Sequence, residues 1–384
     1  MKRWPTKPLG EVLEISRERI EPAKYPDTLF NYIGLEAIEG HTGNLLPYQP
    51  TLGAEIKSTK NMYHHGEILY GKLRPYLNKV HLAVDEGICS TDIYVLRPRE
   101  RCIHPSFAAN YLRSSSTLSA VTGAMAGANL PRIGHESLLG ILIPLPPLAE
   151  QERIVKLLDE ADELRKLRAQ ADRRTADLIP ALFHEMFGDP VTNPKGWPES
   201  SLGHVLSISR ERIDPANCGG TFFNYVGLES LEGHTGNLLP YKPKLGPEIK
   251  SAKNVFNPGE ILFGRLRPYL NKVHLAEAKG ICSTDIYVLR PNSERLHPSF
   301  TANCLRSPYV LSTVSSAMVG ANLPRVSPGA LLGIKIPIPP VELQGEFAEI
   351  ASEIRQLEAI QTNSRARLEA IFQSVLHRAF NGEI

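Results

Sequence analysis

Two long stretches of this chain repeat apolar residues every three or four positions among dense charges. In the first, Ala149 to Leu178, residues Ile154, Leu157, Leu158, Ala161, Leu164 and Leu167 share one helical face. Glu150 and Glu152 lie in its first turn, where the helix dipole favours acids. Pro180 is expected to kink or restart this helix before Phe183 and Phe187. In the second stretch, Glu342 to Phe380, the same phase runs through Phe347, Ile350, Ile354, Leu357, Leu368, Ile371, Val375 and Phe380. Gln373 stands where the proline was, so an unbroken helix is predicted. At about 1.5 Å per residue, each helix would be roughly 50–60 Å long.

Ahead of each helix the pattern changes. From Trp4 to about Pro147, and again from Trp197 to about Pro340, short β-rich runs alternate with Gly, Pro and Asn turns. Glu67-Ile-Leu-Tyr, Lys79-Val-His-Leu-Ala and Asp92-Ile-Tyr-Val-Leu read as strands. Ser106 to about Leu118 reads as a helix with Ser106 as its cap. Leu142-Ile-Pro-Leu-Pro-Pro reads as a final extended segment ended by prolines.

The second half of the chain copies the first. A shift of 193 aligns Trp4 with Trp197 and Phe187 with Phe380 without a gap. Glu39-Gly-His-Thr-Gly-Asn-Leu-Leu-Pro-Tyr48 recurs as Glu232 to Tyr241, and Gly87 to Pro98 recurs as Gly280 to Pro291. The predicted class is therefore α/β modules plus long helices. Residues 1–147 form the first module, 148–188 the first helix, 189–340 the second module and 341–384 the second helix. The first helix leads from module one to module two. A second helix that packs on it must return, so the pair is antiparallel and coiled-coil-like, with a pseudo-two-fold relation. The alternative is that each helix packs only on its own module.

Composition narrows the class further. With 384 residues, 42% hydrophobic and 22% charged, the chain is ordinary for a soluble protein. The longest apolar stretches, such as Leu138 to Leu148, are interrupted by Gly and Pro and are too short to cross a bilayer, so no membrane association is expected. Met-Lys-Arg-Trp-Pro at the start has charge but no apolar run behind it, which predicts no signal peptide. Of the five cysteines only Cys89 and Cys282 are equivalent between copies, so reduced thiols and a cytoplasmic setting are expected. The net charge of +2 neither favours nor excludes nucleic acid. A duplicated module does suit a target that is itself two-fold, as double-stranded DNA is.

Motifs that would carry chemistry fail on inspection. Gly66-x4-Gly71-Lys72 has the outline of a phosphate-binding loop, but Leu73 replaces the required Ser or Thr and the intervening residues suit a strand. Pro26-Asp27 with Glu55-Ile-Lys57 imitates a nuclease, but Gly219-Gly220 replaces the Pro-Asp pair in the second copy, where magnesium would need both carboxylates. His64 and His65 become Asn257 and Pro258, so no metal site is expected. The Asp/Asn-Pro-Pro-aromatic tetrapeptide of adenine methyltransferases does not occur, which leaves base flipping to a partner.

Ala128-Asn-Leu-Pro-Arg, followed by Leu138-Leu-Gly-Ile-Leu-Ile-Pro-Leu-Pro-Pro-Leu-Ala-Glu-Gln-Glu-Arg-Ile and a long helix, resembles a type I restriction–modification specificity subunit. There a target-recognition domain runs into a spacer helix. The second copy, Ala321-Asn-Leu-Pro-Arg to Gln344, departs at Glu342-Leu343-Gln344, where the family's Glu-Gln pair is blurred. Gly66 to Lys79 and its copy also resemble the family. The resemblance implies a chain without catalysis of its own. Each module would read one half of a split site, and the helices would set the gap and dock two methyltransferase (M) subunits. Motor and nuclease (R) subunits would join. No cofactor belongs to this chain; S-adenosylmethionine, ATP and magnesium are expected on the partners. The competing classes are a stand-alone nuclease or methyltransferase, and a tandem scaffold for a ligand other than DNA.

For DNA contact the leading cluster is Lys72, Arg74, Tyr76, Asn78 and Lys79, repeated as Arg265, Arg267, Tyr269, Asn271 and Lys272. Arginine can read guanine edges and asparagine adenine, while lysine more often grips phosphate. The Lys72/Arg265 exchange suits a backbone contact. His41 and Asn44, with His234 and Asn237, lie in polar loops identical in both modules. Lys57, Lys60, Lys250 and Lys253 are candidate phosphate grips. Arg17 and Arg19, with Arg210 and Arg212, contact DNA or pair with the adjacent glutamate. Asn129 and Arg132, with Asn322 and Arg325, contact DNA or brace the helix junction.

Overall fold

The computed structural model describes residues 4–99, 102–127, 129–320 and 322–383. Residues 1–3, at the start of the stretch that predicts no signal peptide, lie outside them. So do Ala128 and Ala321, which begin the two Ala-Asn-Leu-Pro-Arg motifs. The chain divides into two compact units: Met1–Arg168 with Ser364–Ile384, and Ala169–Asn363. This division cuts across the four segments drawn from sequence, because each unit holds one module and part of both long helices.

Each module pairs two small four-stranded sheets. In the first, Ile93–Pro98 lies between Leu13–Ile15 and Ile68–Gly71, and Val80–Leu82 completes an antiparallel sheet. The other sheet runs Arg19–Ile20, Lys60–Tyr63, Gly87–Cys89 and Tyr32–Ile33, with only the last pair parallel. The three runs read as strands are all strands. Ile68–Gly71 is buried on both faces, which explains its unbroken apolar composition and confirms a strand where a phosphate cradle was rejected. Thr6–Pro8 pairs with Leu142–Pro144, so the end of the module returns to its beginning.

The helix expected from Ser106 is two helices. Pro105–Arg113 starts on Pro105, whose fixed φ suits a first helical position, so Ser106 is inside the first turn and His104 holds the cap position. Ser114 then leaves helical geometry and caps Ser115–Gly123 by accepting from the Thr117 amide.

The long helices follow the periodicity. The first runs Leu148–Ala176 and restarts as Leu178–Phe187. Pro180 has no N–H for the Ala176 carbonyl and its ring crowds that group, so the break falls one turn before it, at Asp177. The second, Val341–Asn381, is continuous.

Both helices begin on a buried glutamine. Gln151 donates from Nε2 to the Pro146 carbonyl and accepts from the His104 amide, each at 2.8 Å. Gln344 does the same with Pro339 and His297, again at 2.8 Å. The Glu-Gln departure in the second copy therefore spares the residue that makes the joint; only the outer Glu150/Leu343 position changed.

Within each unit the helical segments run antiparallel, and the helix end that docks comes from the other copy. In the first unit, Ile154 and Leu158 share a core with Leu376, Ala379 and Phe380. Phe380 meets Phe107 and Tyr111 edge to face at 5.1 and 5.0 Å between centroids. Further along, Arg165 pairs with Glu369 at 2.8 Å and lies over the Phe372 ring. In the second unit, Phe183 and Phe187 pack on Phe300 and Phe347 at 4.8–5.5 Å. Thr175 accepts a buried bond from Gln361 at 2.9 Å. The alternative in which each helix stays on its own module is thus excluded. Among the described residues, no helix is long and apolar enough to cross a membrane.

Truncating Phe380 to alanine removes an aromatic from a close-packed core and should destabilise the first unit by about 3–5 kcal/mol. Chemical denaturation should show the loss, and Phe187→Ala should produce a comparable one in the second unit.

Candidate nucleic-acid interface

The turn between Ile68–Gly71 and Val80–Leu82 has an unusual backbone. A short 3-10 helix, Pro75–Leu77, is bounded by Arg74 and Asn78, both left-handed at φ 48° and 49°. The second module repeats this at Arg267 and Asn271, φ 47° and 48°. A non-glycine residue in this region costs on the order of 1–2 kcal/mol, least for asparagine. The surroundings hold it there. The Arg74 amide donates to the Pro131 carbonyl at 2.8 Å, and Leu73 and Arg132 form a β-bridge. Asn78 donates from Nδ2 to the Arg113 carbonyl at 2.8 Å, as Asn271 does to Arg306 at 2.9 Å.

The His41 loop lies against this turn. The His41 amide donates to the Asn78 carbonyl at 2.9 Å. A Cβ at Gly40 would stand 2.5 Å from the Leu77 carbonyl oxygen, so glycine is required for the approach. Glu39 closes the loop from within, accepting from Thr42 Oγ1 at 2.5 Å and Asn44 Nδ2 at 3.3 Å. Glu232, Thr235 and Asn237 repeat the arrangement.

Beneath both loops sits a cation that sequence reading missed. Arg113 donates to the Thr42 carbonyl at 3.2 Å and to Asn110 Oδ1 at 2.7 Å. Arg306 bonds Asn303 Oδ1 at 2.7 Å in the same way. Burial pushes both guanidinium groups down from their ordinary value, Arg306 to about 10. His81 and His274 add a second brace, bonding the Gly43 and Gly236 carbonyls through Nδ1 at 2.8 and 2.7 Å. Burial lowers both imidazole pKa values, which favours the neutral ring. The available signal was identity between the copies at positions outside any familiar motif.

The cluster read from sequence therefore divides. Asn78, Asn271, Lys79 and Lys272 bond inward and anchor the turn. The asparagines are buried, and the two lysines donate inward to the Leu35 and Leu228 carbonyls at 2.8 and 2.6 Å. Asn44 and Asn237 stay exposed, with their amides engaged by glutamate. Lys72 and Arg265 are half-buried over Tyr94 and Tyr287, at 5.1 and 5.5 Å from the ring centroids. Facing outward are His41, Arg74 and Tyr76 and their copies His234, Arg267 and Tyr269. The two tyrosines are 43% and 45% exposed, too much for core residues of an isolated fold.

The remaining candidates lie elsewhere. Lys57 and Lys250 are exposed; Lys60 and Lys253 donate to Ser58 and Ser251 at 2.6 and 2.8 Å. Glu18 pairs with Arg97 at 2.8 Å and His64 at 2.9 Å, leaving Arg17 and Arg19 exposed rather than paired with it. Arg132 and Arg325 approach Asp92 and Asp285 at 3.5 and 3.3 Å, so they brace the Arg74 turn and not the helix junction.

Comparison with known proteins identifies the family. The family model described as type I restriction modification DNA specificity domain matches twice, over residues 1–172 and 194–370. The chain belongs to this family. It is 29% identical over 193 residues to the type I restriction enzyme EcoDI specificity subunit of Escherichia coli, covering 49% of this chain and 42% of that protein. A putative MjaX specificity subunit of Methanocaldococcus jannaschii is 22% identical, covering 99% of this chain and 93% of the other. The chain thus spans under half of the first relative's length and nearly all of the second's. A solved chain from work on assembly and conformational transition of the type I R-M system shares the fold. Its TM-score is 0.66 at 24% identity, covering 99% of this chain and 98% of that one. The type I S subunit from M. genitalium does so with a TM-score of 0.57 at 16% identity, covering 98% and 96%.

The division between anchors and outward groups can be measured. Asn78→Ala loses a buried bond and the residue best suited to a left-handed position, so about 1–3 kcal/mol of stability should go. Arg74→Ala should stay within about 0.5 kcal/mol of the parent in the same denaturation experiment.

Proposed function

We propose that this chain is the non-catalytic specificity subunit of a type I restriction–modification complex. Each module reads one half of a bipartite site in double-stranded DNA, using His41, Arg74 and Tyr76 in the first and His234, Arg267 and Tyr269 in the second. The helices set the gap between half-sites and dock two methyltransferase subunits. Motor and nuclease subunits join for restriction. S-adenosylmethionine, ATP and magnesium act on those partners, in the cytoplasm.

One observation carries this reading. A chain of this family presents the same strained Arg-Pro-Tyr turn twice, on the same scaffold, with the arginine and the aromatic facing out. An exposed arginine suits base-edge reading and an exposed aromatic suits stacking or groove contact. Lys72 and Arg265 suit phosphate contact beside them. Because the outward groups are identical in the two copies, both modules should read the same half-site, one on each strand. The target is then an interrupted palindrome.

Co-expression with the methyltransferase subunit, followed by genome-wide mapping of methylated adenine, tests this. One interrupted palindromic motif is expected, and Arg74→Ala with Arg267→Ala should erase it while the protein stays folded. Two unrelated half-sites would overturn the palindrome; an unchanged map in the double variant would overturn the role of the arginines.

A further inference from the structure

The modules match around Arg74 but differ along a groove elsewhere on the same module. In the first module an open groove of about 680 Å³ is lined by Tyr32, Glu36, Glu55, Lys57 and Lys60, together with Gln49 and Thr51. One wall is the segment that carries the His41 loop, held by a bridge between Ile38 and Leu45. The second copy keeps the tyrosine, both glutamates and both lysines, as Tyr225, Glu229, Glu248, Lys250 and Lys253. It replaces Gln49 with Lys242 and Thr51 with Lys244. Two lysines against two glutamates leave the first groove formally neutral. Four against two leave the equivalent face of the second with two net positive charges.

Lys244, one of the two added lysines, has a defined place. Lys244 belongs to the strand Lys244–Leu245, paired with Phe222–Phe223. Its ammonium stands 5.1 Å from the Tyr225 ring centroid, with Lys253 at 5.7 Å from the same ring. Among the described residues, the equivalent Tyr32 ring of the first module has one cation over it, Lys60 at 5.3 Å. A ring that attracts two cations limits where their ammonium groups go. Among the described residues, none of these four lysines forms an ion pair, and Lys242, Lys244 and Lys250 are exposed. Such an array, in the module that also carries the outward Arg267, has the charge and accessibility to hold a polyanion.

We propose that this lysine-bearing face of the second module grips two backbone phosphates of the duplex that the first module leaves uncontacted. The chain then holds the two halves of even a symmetric site unequally, with module two the tighter anchor. The inference rests on the DNA-reading function proposed above and adds an asymmetry to it. Each phosphate neutralised steepens the fall of log K with log salt by about 0.9.

The test uses the full chain and a duplex of arbitrary sequence, titrated between about 50 and 200 mM salt. Lys242→Gln with Lys244→Thr should flatten the slope by about 2, so that about tenfold less affinity is lost across that range. Gln49→Lys with Thr51→Lys should steepen it by about as much, and Lys242→Arg with Lys244→Arg should leave it unchanged. If the neutral pair binds with the parental slope, or the arginine pair loses the slope, this face makes no such contacts and the inference fails while DNA reading stands. If the parent binds no duplex even at the lowest salt, DNA reading itself fails.

Discussion

Reciprocal docking of helix ends is the contact on which the architecture depends. Phe187 and Phe380 are the same residue of the repeat, as are Phe107 and Phe300. Phe187 packs on Phe300 and Phe380 on Phe107, so each module's helix ends on the core of the other copy. These helices carry dense surface charge and have little reason to persist alone. Most helical stability comes from tertiary packing of one face. The joint at each start is equally determined, because a buried glutamine satisfies both the carbonyl of the first proline in the Pro-Pro pair and a backbone amide of the module. An orphaned polar group there would be costly.

The outward surface is built by turning most of the polar side chains inward. Asn78, Lys79, His81, Glu39 and Arg113 all bond within the module, and the copy repeats them. Their combined effect is to hold Arg74 in a left-handed conformation at the edge of a sheet, with Tyr76 beside it. A turn already fixed in its working shape loses less conformational entropy when a ligand arrives. Local strain in such a turn persists only where the surrounding bonds over-determine it, which is the arrangement found here.

Much of this was legible in the chain itself. The 193-residue repeat, the strand runs, both helices and the restart near Pro180 follow from periodicity and from proline's missing donor. The cluster around Arg74 was found because cations, an amide and an aromatic without an acid are rare in eight residues. Which of them face outward was not legible. Asn78 and Arg74 have similar neighbours in sequence, but one amide reaches a carbonyl 35 positions away and the other side chain reaches solvent. The split of the Ser106 helix was missed because Ser114 could serve helix or cap equally well by composition.

Sequence alone determined the duplication, the main strand runs and the long helices, since these depend on local periodicity. Tertiary structure decided which module receives each helix end, which polar groups are anchors and where the added lysines stand. Those outcomes turn on contacts between residues far apart in the chain, such as Phe107 with Phe380, and no local pattern encodes the partner of a side chain.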